Sequence, residues 1–238
     1  MIPIYVMTCN KYMRTLRGFA YLFNKYWYHE QPVTILGFDP PSFDLPNNFS
    51  FLSLGRDEDY PVNRWSDALL EFLHHPLTPK YFVMFLEDYW IKSSVNIRVV
   101  ARAIDYCESR GDVLKLDLAE DRKFSKDVIP LNKLLDIDLL MSNPESQYHM
   151  SLYIGAWFRD KMKRVIVPGE TPWQVELEGT NRLRAIPNLT VIGTGNNPVP
   201  ITLAHRNGNS HIFNLSELDV VDQLEIRSLY EEEDFTFA

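Results

Sequence analysis

A chain of 238 residues, 45% hydrophobic and 24% charged, has the composition of a globular protein and the length to bury a substantial core as one domain. Its formal net charge of −8 argues against a nucleic-acid binder, which needs a basic surface to neutralise phosphates; Arg98, Arg102 and Arg110 could form only a local patch. No stretch approaches membrane-spanning length, the apolar run at 2–7 is too short for a signal core, and Cys9 and Cys107 have neither disulfide nor metal-ligand spacing, so a cytoplasmic setting is expected.

The chain opens as strand, turn and helix. Residues 2–7 are apolar and β-rich, Thr8-Cys9-Asn10 breaks them, and Leu16, Ala20, Phe23 and Trp27 recur at helical spacing. Strands are expected at 33–38, ending before Asp39-Pro40-Pro41, and at 49–54, closed by Gly55. The best helical period runs from Asn63 to His74, with Trp65, Ala68, Leu69, Phe72 and Leu73 on one stripe. The unbroken apolar segment 81–86 reads as a central strand and ends in Glu87-Asp88. A helix capped by Ser94 is expected to reach Cys107, with Gly111 beyond it and a strand at 113–118.

Residues 119–150 read as loops and a short strand. A strand at 151–155 is followed by a helix carrying Phe158, Met162, Val165 and Ile166. Thr171, Pro172 and Gln174 make a complete helix-start signature. Gly193 to Asn197 reads as a turn, and one helix is expected over 216–230, before the acidic run Glu231 to Asp234. Alternating strands and helices predict a single α/β domain around a mostly parallel sheet, whose ligands bind beyond the carboxyl ends of the strands. Thr8, Asn10, Asp39, Glu87 and Asp88 then share one rim.

Glu87-Asp88 carries the most chemistry. Adjacent carboxylates at the end of a buried strand need a cation, and a hard ion such as Mg²⁺ or Mn²⁺ shared with substrate phosphates meets that need; a loop start or helix cap is the plainer reading. Glu176 and Glu178 suit a solvated helix surface, and Asp67 suits a first-turn helix acid. His74-His75 reads as capping helix carbonyls. His205 follows the strand at 201–203 and could complete a metal shell or be a plain loop histidine, and Arg206 could meet phosphate bidentately. The 13% aromatic content furnishes mainly core, with some rings available to a planar base or a sugar face.

Three segments together resemble bacterial and phage glycosyltransferases of the GT-A type. They are Ile4 to Tyr12; Trp65-Ser66-Asp67-Ala68-Leu69-Leu70 with 81–90; and 151–160 with the Pro172-Trp173-Gln174-Val175-Glu176 segment. Position 87 is Glu, 88 is Asp and 89 is Tyr, a departure from a full Asp-x-Asp metal motif. The resemblance implies a GT-A-like fold with a nucleotide-sugar-binding half near 1–118 and an acceptor-side half with a C-terminal helix at 119–238. It implies that Thr8, Asn10 and Asp39 contact base or ribose and that Arg64, Trp65, Asp67 and Glu87 border the donor. Asp88, with His205, would hold Mn²⁺ or Mg²⁺. The reaction implied is transfer of a sugar from a nucleotide-diphosphate sugar to a hydroxyl acceptor, a carbohydrate before a modified phage DNA base. Inversion is expected, because Glu176 offers a base and no separate nucleophile stands out. Two alternatives are a degenerate nucleotide-sugar-binding module and a nucleotidyltransferase, the latter lacking a Gly-rich basic loop.

Overall fold

The computed structural model describes residues 1–119, 122, 128–134, 137–205, 211–231 and 235–237. Strand β1 (Ile4–Met7) leads through a 3₁₀ turn, Asn10–Thr15, into α1 (Leu16–Phe23), and a π turn at Asn24–Tyr28 ends that element. Strands β2 (Val33–Gly37) and β3 (Phe49–Ser53) follow, then α2 (Trp65–His74), β4 (Tyr81–Leu86) and the short β5 (Tyr89–Ile91). Helix α3 (Ile97–Arg110) is capped by Asn96, whose Oδ1 accepts from Val99 N at 3.2 Å, rather than by Ser94; it ends at Gly111, where φ is +75°. That left-handed conformation suits glycine at a helix end.

Strand β6 (Val113–Asp117) is followed by the hairpin β7 (Ile129–Leu134) and β8 (Ile137–Met141), then β9 (Gly155–Phe158), α4 (Arg159–Met162) and α5 (Pro172–Ala185). The chain finishes with β10 (Thr190–Thr194), β11 (Ile201–Leu203), β12 (Ile212–Phe213), α6 (Val220–Leu229) and β13 (Thr236–Phe237). Several expected boundaries move. The strand expected at 151–155 begins only at Gly155: Ser151 O and Leu152 N go to side chains of β6 and α5, as described below, and Tyr153 N goes to Ser151 Oγ. The expected helix over 158–166 is only the four residues of α4. Gly193 and Thr194 close β10 instead of forming a turn, and α6 begins only at Val220, where Asp219 caps it by accepting from Asp222 N at 2.8 Å. The residues after Glu231 in the acidic run lie outside the described residues.

The nine-stranded sheet has the order β3-β2-β1-β4-β9-β6-β10-β8-β7. Strands β1 to β4, β6, β7 and β10 run in one direction, and β8 and β9 run against them. The expected α/β architecture with a mostly parallel sheet is therefore present. Both halves of the chain build this one sheet, since β9 sits between β4 and β6. The β7–β8 hairpin extends the far edge and supplies none of the cleft-lining residues named below.

Two apolar cores cover the two faces. One packs Phe19, Phe23, Phe85 and Trp90 with α1 and α3, and the other packs Leu69, Phe72, Phe82 and Trp157 with α2 and α5. Burial on both faces explains the unbroken apolar run of β4. Of Arg98, Arg102 and Arg110, the last turns onto Asp112, at 2.9 and 2.7 Å. Among the described residues no helix is long and apolar enough to cross a membrane.

Candidate active site

From β1 the chain winds one way to β2 and β3, and β4 lies on the other side of β1. The strand order thus reverses between β1 and β4, where an open sheet leaves a crevice at its carboxyl ends. A cleft of about 370 Å³ opens there. Thr8, Cys9 and Tyr12 line it beyond β1, and Glu87, Asp88 and Tyr89 beyond β4; Trp65 comes from α2, Trp173 and Glu176 from α5, and His205 from the loop after β11. This volume is within the range of small-molecule sites. A larger groove of about 640 Å³ between α1 and residues 43–46 has no strand ends and no carboxylate pair.

The turn Glu87-Asp88 is pinned from behind. Strand β5 pairs with β11, Leu203 opposite Tyr89, and Ala204 N donates to Asp88 O at 2.8 Å. Glu87 is only 9% exposed and Asp88 is half-buried. Burial, and then the Asp88 charge, drive the Glu87 carboxyl well above the usual carboxylate range; burial drives Asp88 up to about 6. Against this each has only its own backbone N–H, and no cation among the described residues faces either group. Burial and then the charge of Glu87 also push the Cys9 thiol up.

His205 forms the opposite wall. Its Nδ1 lies 3.1 Å from Ile212 O and its Nε2 2.8 Å from Thr15 Oγ1. A carbonyl only accepts, so Nδ1 carries the proton and Nε2 accepts from the Thr15 hydroxyl. In this arrangement the ring's lone pair belongs to Thr15. Among the described residues no three His, Cys, Asp or Glu side chains come together as a metal cluster. Arg206 lies outside the described residues.

The aromatic side of the cleft is held by two joined helix starts. Ser66 N donates to Glu170 O at 3.0 Å, and Glu170 N donates to Ser66 Oγ at 2.9 Å. Asp67 accepts from Gly169 N at 2.7 Å and from Arg64 at 2.8 and 3.2 Å; burial raises its pKa, but these donors outweigh that and hold it below the usual range. Arg64 and Asp67 therefore clasp α2 to the loop before α5, and neither lines the cleft; Trp65 between them does. Thr171 and Gln174 form the capping box, at 3.2 and 2.9 Å, which sets the first turn of α5. That turn presents Trp173, 66% exposed, and Glu176 to the cleft. Glu176 Oε1 accepts from Leu152 N at 2.7 Å. His74 Nδ1 meets Leu70 O at 2.8 Å, the expected capping contact.

Of the residues singled out in the sequence, Thr8, Trp65, Glu87, Asp88, Glu176 and His205 converge on the cleft. Asn10 and Asp39 do not line it. They sit at the neighbouring rim and bond to each other, Asn10 Nδ2 donating to Asp39 Oδ2 at 2.7 Å. Tyr12, Tyr89 and Trp173 also line it; each lies in a segment that carries the resemblance, but none was singled out as a site residue.

No protein-family model matches the chain, and no curated protein does. Among solved structures, S. aureus TarS 1-349 is similar at 15% identity with a TM-score of 0.45, over 80% of this chain and 57% of that one. An active-site mutant of LgtC is similar at 11% identity with a TM-score of 0.39, over 68% of this chain and 59% of that one. The chain thus spans less than two thirds of either structure, and the site is argued from its own geometry.

Proposed function

We propose that the chain is a glycosyltransferase that takes a nucleotide-sugar donor and a divalent cation, Mn²⁺ or Mg²⁺, in the cleft between β1 and β4. The observation that carries this reading is the Glu87-Asp88 pair, desolvated at the strand-order reversal with no cationic partner among the described residues. Such a pair suits a hard cation that also binds a diphosphate. When bound, the cation would supply Lewis-acid stabilisation of the departing nucleotide. Asp88 and Glu87 would hold it, and His205 would join only by giving up Thr15. The sequence resemblance to GT-A enzymes points to the same chemistry.

Thr8 lies under the donor in this reading, the Asn10–Asp39 pair at the rim meets base or ribose, and Trp65 borders the sugar. Arg64 and Asp67 act by holding Trp65 in place. A carbohydrate acceptor fits the exposed face of Trp173. Its hydroxyl attacks the anomeric carbon as the bond to the diphosphate breaks, Glu176 takes the hydroxyl proton, and configuration is inverted.

Thermal shift with UDP, GDP, CMP, dTDP and their sugar conjugates, with and without Mn²⁺, tests the proposal. A ligand at a hundred times its Kd adds about 2.7 kcal/mol. A Mn²⁺-dependent shift with one nucleotide, lost in Asp88→Asn, is expected. A nucleotide shift with no hydrolysis or transfer would instead leave a binding module, and no shift with any compound would sink the donor site.

A further inference from the structure

Lys115 is a fully buried lysine in the middle of β6, paired with Asp117 on the same strand. Its Nζ lies 4.8 Å over the Trp157 ring and donates to Ser151 O at 2.7 Å. Gly155 makes room for it, since a Cβ there would collide with Lys115 Cε. The amide N–H that shares a peptide group with Ser151 O is that of Leu152, and this N–H donates to Glu176 Oε1 at 2.7 Å. One peptide is therefore held between an ammonium on its oxygen and a carboxylate on its nitrogen. A cation on the oxygen polarises the amide and strengthens the bond its N–H makes to the carboxylate.

The His149–Met150 peptide, two before it, is attached to α5 in the same way. Met150 N donates to Thr180 Oγ1 at 2.9 Å, one turn after Glu176 on the same face of α5. Arg122, fully buried, braces the preceding segment. It pairs with Asp117 at 2.5 Å and donates to Tyr148 O at 2.5 Å and His149 O at 3.1 Å. Packing alone does not call for this buried group, because a buried ion pair or triad replaced as a whole by well-packed apolar side chains is often as stable or more so.

We propose that Lys115 is a positioning residue for Glu176, acting through the Ser151–Leu152 peptide to fix the carboxylate on the cleft wall. The inference rests on the reading of Glu176 as the base. It is tested with Lys115→Met, Glu176→Gln and the double variant, by two readouts. In a ¹⁵N-resolved amide spectrum the Leu152 proton should move upfield in both single variants; an unmoved Leu152 in Lys115→Met overturns the proposal without any turnover measurement. Hydrolysis of UDP-glucose, UDP-N-acetylglucosamine and GDP-mannose with Mn²⁺ gives the second readout. Lys115→Met should lower kcat at least about tenfold, in line with the cost of misplacing a reacting group, with donor KM within about twofold. It should add nothing in the Glu176→Gln background. Loss of turnover in Glu176→Gln with full turnover in Lys115→Met overturns the positioning role alone, whereas full turnover in Glu176→Gln overturns the base assignment beneath it. Lys115→Gln, with a shorter neutral donor, reads the same two quantities should the methionine variant not fold.

Discussion

Replacing Asp88 by asparagine should raise the stability of the metal-free protein while removing its response to Mn²⁺. Asp88 stands half-buried beside the more deeply buried Glu87, and its carboxyl titrates near 6 against an ordinary 3.8. An acid whose folded pKa is raised holds its proton more tightly folded than unfolded. Stability is therefore greatest below about pH 4, falls as the pH rises from about 4 to about 6, and stays low above that. A displacement of about two units corresponds to about 3 kcal/mol at 1.36 kcal/mol per unit. Solvent contact and the shared titration with Glu87 reduce this to on the order of 1–2 kcal/mol for Asp88 alone.

At about 2–4 °C per kcal/mol for a domain of this size, Asp88→Asn should melt roughly 2–8 °C above the parent at pH 7.5 in chelator. The gap should close near pH 4, where the carboxyl is neutral in the folded protein. With Mn²⁺ the parent should gain and the variant should not. Melting curves at both pH values, with chelator and with Mn²⁺, give the four numbers required. If Asp88→Asn melts below the parent at pH 7.5 in chelator, Asp88 is already compensated, and the argument for a cation on this pair fails.

The opposite pH slope should come from His149. Burial, and then the charges of Arg122 and Arg184, pull its pKa from 6.5 down to about 4, so the folded protein keeps the ring neutral; its Nδ1 lies 2.9 Å from Ser142 Oγ. Its contribution is complete above 6.5 and is lost as the pH falls towards 4, and urea melts of His149→Gln should show a flatter acid limb than the parent. Thr171→Ala removes the capping box of α5 and should cost about 0.5–2 kcal/mol, and a cost near zero by urea melts would mean that the Ser66–Glu170 clasp alone sets that helix start.

The sequence alone determined much of the scaffold, because its signals are local. The continuous apolar run of β4, the period of α2 and the Thr171–Gln174 signature each depend on neighbours a few residues away, and all three are present as read. The acidic pair was legible for the same reason, as charge placed where an apolar strand stops. Tertiary structure decided which candidates share a site. Asp67 and Arg64 look like donor contacts in sequence, yet the approach of residue 169 turns them into a clasp. Asn10 and Asp39 satisfy each other across two strand ends. Trp173 and His205 reach the cleft only because the capped start of α5 and the β5–β11 pairing bring distant segments to the end of β4. The peptide between Lys115 and Glu176 joins three segments with no local pattern in common. Such contacts depend on how strands are ordered and how helices pack across them, and short-range periodicity carries no record of either.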